Sequence, residues 1–191
     1  MGCPFSYASA DVGAAFTLCN YKSWMLSVGG TASPATGVSA NDGRWHHVAI
    51  TWDSSGETDL RQHGNTILYM DGNPVWQGDV AKGMVIPAGG TVVIGNSQMH
   101  MGQVYGPEMA FMGQLSDIIW YNRVLSKVDI QSKMMSHVLG NEAGAVLAFA
   151  MTQPNDQLTS LKDFSPSDSV GQFKGDPAPE LEVPSVRPMN W

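Results

Sequence analysis

The run Asp42-Gly43-Arg44-Trp45-His46-His47-Val48-Ala49-Ile50-Thr51-Trp52 constrains this chain most. An Asp-Gly turn opens directly into aromatic and β-branched residues, the composition of a strand entered from a tight turn. Leu68-Tyr69-Met70-Asp71-Gly72 then reads as a second strand that ends in another Asp-Gly turn. From Gly113 to Ser126 a third apolar run, Ile118-Ile119-Trp120-Tyr121, leads into a helix start. Parts of this kind assemble into an antiparallel sandwich. With 21 Gly and 11 Pro among 191 residues, turns recur often enough to join many short strands and to leave little room for long helices.

Strands are predicted at Pro4 to Ser9, Ala15 to Asn20, Trp24 to Val28, Trp45 to Trp52, Thr66 to Met70, Pro74 to Gln77, Thr91 to Ile94, Met112 to Tyr121 and Val146 to Ala150. One helix is signalled. Ser126 is its cap, Asp129 the reciprocal acid three residues on, and Leu125 with Ile130 a hydrophobic staple.

Charge excludes two classes of partner. The formal net charge is -7, and no Lys/Arg cluster interrupts it, so the chain lacks the footprint expected for nucleic acid or for an anionic bilayer. No apolar stretch reaches the roughly 18 to 20 residues that span a bilayer, so no membrane insertion is expected.

Taken in order, these blocks resemble the pentraxin and laminin-G-like family of concanavalin A-like jelly rolls. In that family a D-G-x-W-H-H strand, a Y-x-D-G hairpin and a strand-to-helix corner containing Ser-Asp recur together; here they are Asp42 to His47, Tyr69 to Gly72 and Gly113 to Ser126. Ser6-Tyr7-Ala8 and Val28-Gly29-Gly30 extend the likeness toward the start of the chain. The resemblance implies an all-β, two-sheet antiparallel jelly-roll sandwich with one short helix. It assigns His46, His47 and Asp117 to the fold rather than to a site. It also implies that family strands preceding Ser6 are missing here, as in a piece of a larger protein.

On this reading residues 1–151 form the jelly roll. Residues 152–191, rich in Pro, Ser, Asp and Gly, complete the sandwich or open a neighbouring module. Asp163-Phe164-Ser165 and Gly171-Gln172-Phe173-Lys174-Gly175 resemble the turn and hairpin at the opening of a laminin-G-type module, and Trp191 is expected to anchor the tail.

Cys3 and Cys19 admit two readings. If Ala10 to Gly13 is the turn between the first two strands, the two cysteines are cross-strand neighbours about 5 Å apart, within disulfide reach. Alternatively they are two buried thiols acting as small hydrophobes. The disulfide usual in the family is not available, because Ala49 stands where its strand cysteine would be.

Calcium is the metal that the resemblance implies, held in pentraxins by an early Asp-Asn pair and by carboxylates and amides of a later long loop. The matching positions here are Asp11 and Val12, then Ser97, Gln98, Met99, Gly106 and Met109. Asp11 and Gln98 alone keep a carboxylate or amide oxygen, which is too few for a calcium shell of six to eight oxygens. No bound cofactor or metal is therefore expected.

The loop that replaces those ligands, Ser97 to Met112, is rich in methionine. Met99, His100, Met101, Met109 and Met112 offer soft donors of the kind that suit Cu(I), but such residues more often build an adaptable protein-binding surface. Met99, His100, Met101, Tyr105 and Met109, with Trp76, are the candidate ligand-binding residues. His46, His47 and His63 do not form a metal cluster by spacing, since neighbours on a strand face opposite ways. The E-x-D-x-x-E triplet of sandwich glycosidases is missing, as are serine-hydrolase, phosphate-loop and zinc motifs.

The expectation is a non-catalytic extracellular or cell-surface module for recognition, adhesion or assembly within a larger secreted protein. A protein partner or self-association comes first. A calcium-independent lectin that binds glycan through Tyr105 and Trp76 is the alternative, and polymerisation by strand addition is a third.

Overall fold

The computed structural model describes residues 2–55, 64–137, 139–150 and 160–174. His63, the 151/152 boundary, Gly175 and Trp191 lie outside them. The chain forms two compact units, Met1–Gly113 and Gln114–Trp191.

The first unit holds β1 (Phe5–Ala8), β2 (Phe16–Cys19), β3 (Met25–Val28), β4 (Thr31–Ala32), β5 (Val48–Trp52), β6 (Thr66–Met70), β7 (Asn73–Gly78), β8 (Thr91–Ile94), β9 (Gln98–His100) and β10 (Gln103–Val104). One sheet runs β4-β3-β2-β1-β8 and a second β5-β6-β7. Every pairing within them is antiparallel. The period-two side-chain rule turns alternate residues of β3, Leu26 and Val28, to the interior. There they meet Val80, packed about by Phe16 of β2, Ile50 and Trp52 of β5, and Trp76 of β7. The core thus lies between the two sheets, as a sandwich requires. A void among Leu18, Trp24, Leu26, Ile50, Leu68 and Trp76 has about 10 Å³, room for one water molecule and no more.

β1 and β2 pair with Phe5 opposite Leu18, and the ladder continues toward Cys3 through a hydrogen bond from Asn20 N to Gly2 O at 2.8 Å. Cys3 and Cys19 are joined as a disulfide across it, with their Cα atoms 4.0 Å apart. The thiol alternative is set aside by that bond.

The second unit holds β11 (Ile118–Tyr121), α1 (Lys127–Met134), β12 (Ala145–Phe149), β13 (Ser160–Lys162) and β14 (Val170–Gln172). β11 pairs with β12, and β13 with β14, again antiparallel. Ser126 caps α1 with its side chain accepting from Asp129 N at 3.1 Å, while Asp129 Oδ2 accepts from Ser126 N at 3.1 Å. This is the reciprocal box expected from the sequence, and Ile130 is buried behind it. Asp163 is a buried turn-former: Oδ1 accepts from Ala148 N at 2.8 Å and Ser165 N at 2.9 Å, and Oδ2 from Ser169 N at 3.2 Å.

Two predicted strands start later in the structure, and one hairpin forms where a loop is predicted. The strand placed at Trp45 starts only at Val48, because the His46 side chain and the His47 N–H are held in a clip by the carboxylates described below. The strand placed at Met112 starts at Ile118, after Asp117 takes the left-handed backbone at φ 45°. The long loop after Ile94 contains the unpredicted hairpin β9–β10, whose turn is allowed by Gly102 at φ 76°. All described strands are antiparallel and α1 is the single α-helix among the described residues, an all-β jelly-roll sandwich with one short helix.

Candidate functional site

The segment from Ser97 to Met112 is pinned at its base and open at its surface. Phe111 N donates to Gly95 O at 2.8 Å, Tyr105 N to Ser97 O at 3.0 Å, and Cys3 N to Met109 O at 3.0 Å. The Phe111 ring packs edge-on against Tyr21, with centroids 5.2 Å apart. Contacts of this kind fix the backbone from the disulfide-bearing end of the first sheet. On the outside stand Met99 at 42% exposure, Met101 at 46%, Val104 at 50% and Met112 at 76%. His100 is exposed beside them, while Tyr105 and Met109 are half-buried.

The structure gathers Met99, His100, Met101, Tyr105 and Met109 on one segment, but Trp76 does not join them. Trp76 is half-buried against the core residues of the sandwich, and its ring occupies the space that a Cβ at Gly78 would need. It is a packing residue, so the aromatic pair expected with Tyr105 is not present. Val104 was not anticipated; its exposure follows from its place at the bulged edge of β10, which a sequence pattern does not reveal.

Gln98 also departs from expectation. It is completely buried, and its amide is fully engaged. Nε2 donates to Ser6 O at 3.2 Å and to Thr91 O at 2.7 Å, and Oε1 accepts from Gly102 N at 2.9 Å. Asp11, the other oxygen donor singled out, is exposed on the turn after β1. In that turn Gly13 approaches so closely that an added Cβ would lie 2.2 Å from the Met99 carbonyl oxygen. The two candidate ligands therefore share a neighbourhood but not a cavity. Among the described residues no group of three His, Cys, Asp or Glu side chains stands within reach of one metal ion.

A second polar constellation surrounds His46. Its Nδ1 lies 2.8 Å from Asp71 Oδ2 and its Nε2 3.0 Å from Asp42 Oδ1. Asp71 Oδ1 accepts from His47 N at 2.9 Å, and Asp42 Oδ1 from Arg44 N at 3.0 Å. Burial opposes charge on His46, but the hydrogen bonds to Asp71 and then Asp42 outweigh it and raise the pKa above the ordinary imidazole value. The hydrogen bond from His46, followed by that from Arg44 N, lowers the pKa of Asp42. His47 goes the other way: burial lowers its pKa, only partly offset by the charge of Asp71. The two neighbouring imidazoles thus shift in opposite directions, because His46 hydrogen-bonds two carboxylates while burial dominates at His47. The arrangement ties the turn before β5 to the β6–β7 turn and uses up every carboxylate in it. It serves the fold.

The chain matches the model of a family described as the concanavalin A-like lectin/glucanases superfamily over residues 5–131. It belongs to that superfamily. The likeness extends to the rat "Sushi, von Willebrand factor type A, EGF and pentraxin domain-containing protein 1", 33% identical over 190 residues, which cover 98% of this chain and 5% of that protein. Human adhesion G protein-coupled receptor D2 is 31% identical over 106 residues, 55% of this chain and 10% of the receptor. The bovine pentraxin-related protein PTX3 is 30% identical over 132 residues, 65% of this chain and 33% of that protein. This chain therefore spans a small part of the relatives it matches. Relatives named as pentraxin-type and adhesion proteins support a non-catalytic recognition module. No helix among the described residues is long and apolar enough to cross a membrane.

Proposed function

We propose that the chain is a non-catalytic extracellular module for protein recognition and assembly, and that its contact surface is the segment Ser97 to Met112. The observation that carries this reading is the row of exposed apolar side chains, Met99, Met101, Val104 and Met112, on a backbone pinned by hydrogen bonds and by the Tyr21–Phe111 contact. Methionine suits such a surface because its unbranched, polarisable side chain adapts to the partner. The Cys3–Cys19 disulfide agrees with an oxidising, extracellular setting. No bound cofactor enters this reading, and nucleic acid and membrane insertion have no part in it.

The lectin alternative is the weaker one. A sugar site needs a concave, polar-lined platform with an exposed aromatic ring, and Trp76 is committed to the core while Tyr105 is half-buried. Assembly by strand addition remains a form of the main reading, since a sheet edge that lacks a partner recruits one.

The test is solution mass by light scattering across a concentration series, in calcium and in chelator, for the natural chain and for Met99→Glu/Met101→Glu. The expected result is association that grows with concentration, ignores the chelator and disappears in the double variant. A monomer under all conditions that binds immobilised glycan would overturn the reading in favour of the lectin.

A further inference from the structure

Resting on the reading that Ser97 to Met112 is the contact surface, we propose that Gln98 is its positioning residue, a buried amide latch that orders the β9–β10 hairpin without a metal ion. Calcium, which the pentraxin resemblance implies for this loop, does not fit the residues present. Gln98, the one amide at the matching positions of the loop, turns its donor half to two backbone carbonyls, Ser6 O at 3.2 Å and Thr91 O at 2.7 Å. A cation placed there would meet N–H groups rather than lone pairs. The acceptor half is engaged as well, taking the Gly102 N–H of the hairpin turn at 2.9 Å. One neutral side chain therefore connects three separate stretches of backbone, at β1, at the start of β8 and at the tip of the hairpin.

The latch occupies the interior that a metal and its ligands would need. Gln98 is the largest of the completely buried side chains in the described residues. The neighbouring turn is packed onto the strand, with an added Cβ at Gly13 only 2.2 Å from Met99 O. Because successive strand residues alternate, burying Gln98 sets Met99 on the opposite, solvent side. The buried amide thus fixes which side chains the hairpin offers to a partner. An amide suits this position better than a carboxylate, which would set an oxygen in place of Nε2 against the Ser6 and Thr91 carbonyls without any proton between them.

Hydrogen exchange of the hairpin amides tests the latch in the whole chain, with millimolar calcium and with chelator, alongside Gln98→Met. In the natural chain the exchange rate of the Gly102 amide should be the same in both conditions. In Gln98→Met it should rise by at least about tenfold, the factor expected for roughly one net hydrogen bond. If Gln98→Met fails to fold, Gln98→Asn is read in its place: it keeps the amide but is one methylene short, and must show the same local loosening. Protection that rises on adding calcium, or a variant that leaves Gly102 unchanged, overturns the latch. The contact reading fails separately. If Gln98→Met loosens the hairpin while the natural chain shows no association sensitive to Met99→Glu/Met101→Glu, the latch stands and the surface assignment falls.

Discussion

Around His46 two carboxylates favour the charged form of an imidazole in a half-exposed turn, whereas around Gln98 one neutral amide holds three backbone groups in the interior. Both tie a loop to a sheet in the Met1–Gly113 unit. The difference follows from solvent. Near water a charged group keeps part of its hydration, and an ion pair costs little to form and contributes little in return. In the interior the desolvation of a charge would exceed what its partners return, so a neutral group with every donor and acceptor used is the stable solution. The clip is therefore cheap, adjustable by pH and tolerant of change. The latch is stiff, indifferent to pH and intolerant.

The sharpest way to break this contrast is to remove each device and compare. Gln98→Leu leaves the Ser6 and Thr91 carbonyls and the Gly102 N–H without their buried partner, and should cost about 3 kcal/mol, read from the denaturant midpoint. Asp71→Ala deprives both His46 and the His47 N–H of an acceptor, but its carboxylate is partly exposed and water replaces some of what is lost. About 1 to 2 kcal/mol is the expected cost. An Asp71→Ala loss equal to or larger than that of Gln98→Leu would contradict the ranking by burial.

The two devices also differ in how far they could be read beforehand. His46 sits in a motif that the family resemblance assigns to the fold, and Asp42 and Asp71 stand in Asp-Gly turns, each of which carries a local signature. Thr66–Met70 and Thr91–Ile94 were legible at both ends for the same reason, as was the Ser126 cap. Gln98 carries no such signature. In one dimension it is a polar residue in a methionine-rich loop, and its burial depends on β1 and β8, some 90 and a handful of residues away in the chain, with the first span set by the Ser6 contact. Trp76 shows the same limit in reverse. A tryptophan four residues beyond an Asp-Gly turn reads equally well as a rim aromatic or a core one, and only the pairing of β7 with β6 decides which. The methionine-rich loop was recognisable as unusual, but its hairpin was not, since Met101-Gly102 is a weak turn signal beside Asp-Gly.

The smallest effects are the pH-dependent ones, and they separate the devices by sign. The folded pKa of His46 is raised above the unfolded value of 6.5, so its contribution is fully present below that value and is lost as pH rises through the folded pKa. The folded pKa of His47 is lowered, so its contribution is present above 6.5 and is lost as pH falls through the folded pKa. Melting temperatures of His46→Gln should therefore fall furthest below the natural chain in mildly acidic buffer, and those of His47→Gln furthest in mildly alkaline buffer. For Gln98→Leu the deficit should be the same across this range, because no proton is taken up or released at the latch. Asp42→Asn is the weakest perturbation, removing one of the two acids that face His46. It should lower the His46 titration midpoint measured by NMR without moving that of His47, since Asp71 is the acid the two imidazoles share. A shift of both midpoints together would mean that the two histidines titrate as one coupled group, and the separate, opposite shifts of the two imidazoles would have to be given up.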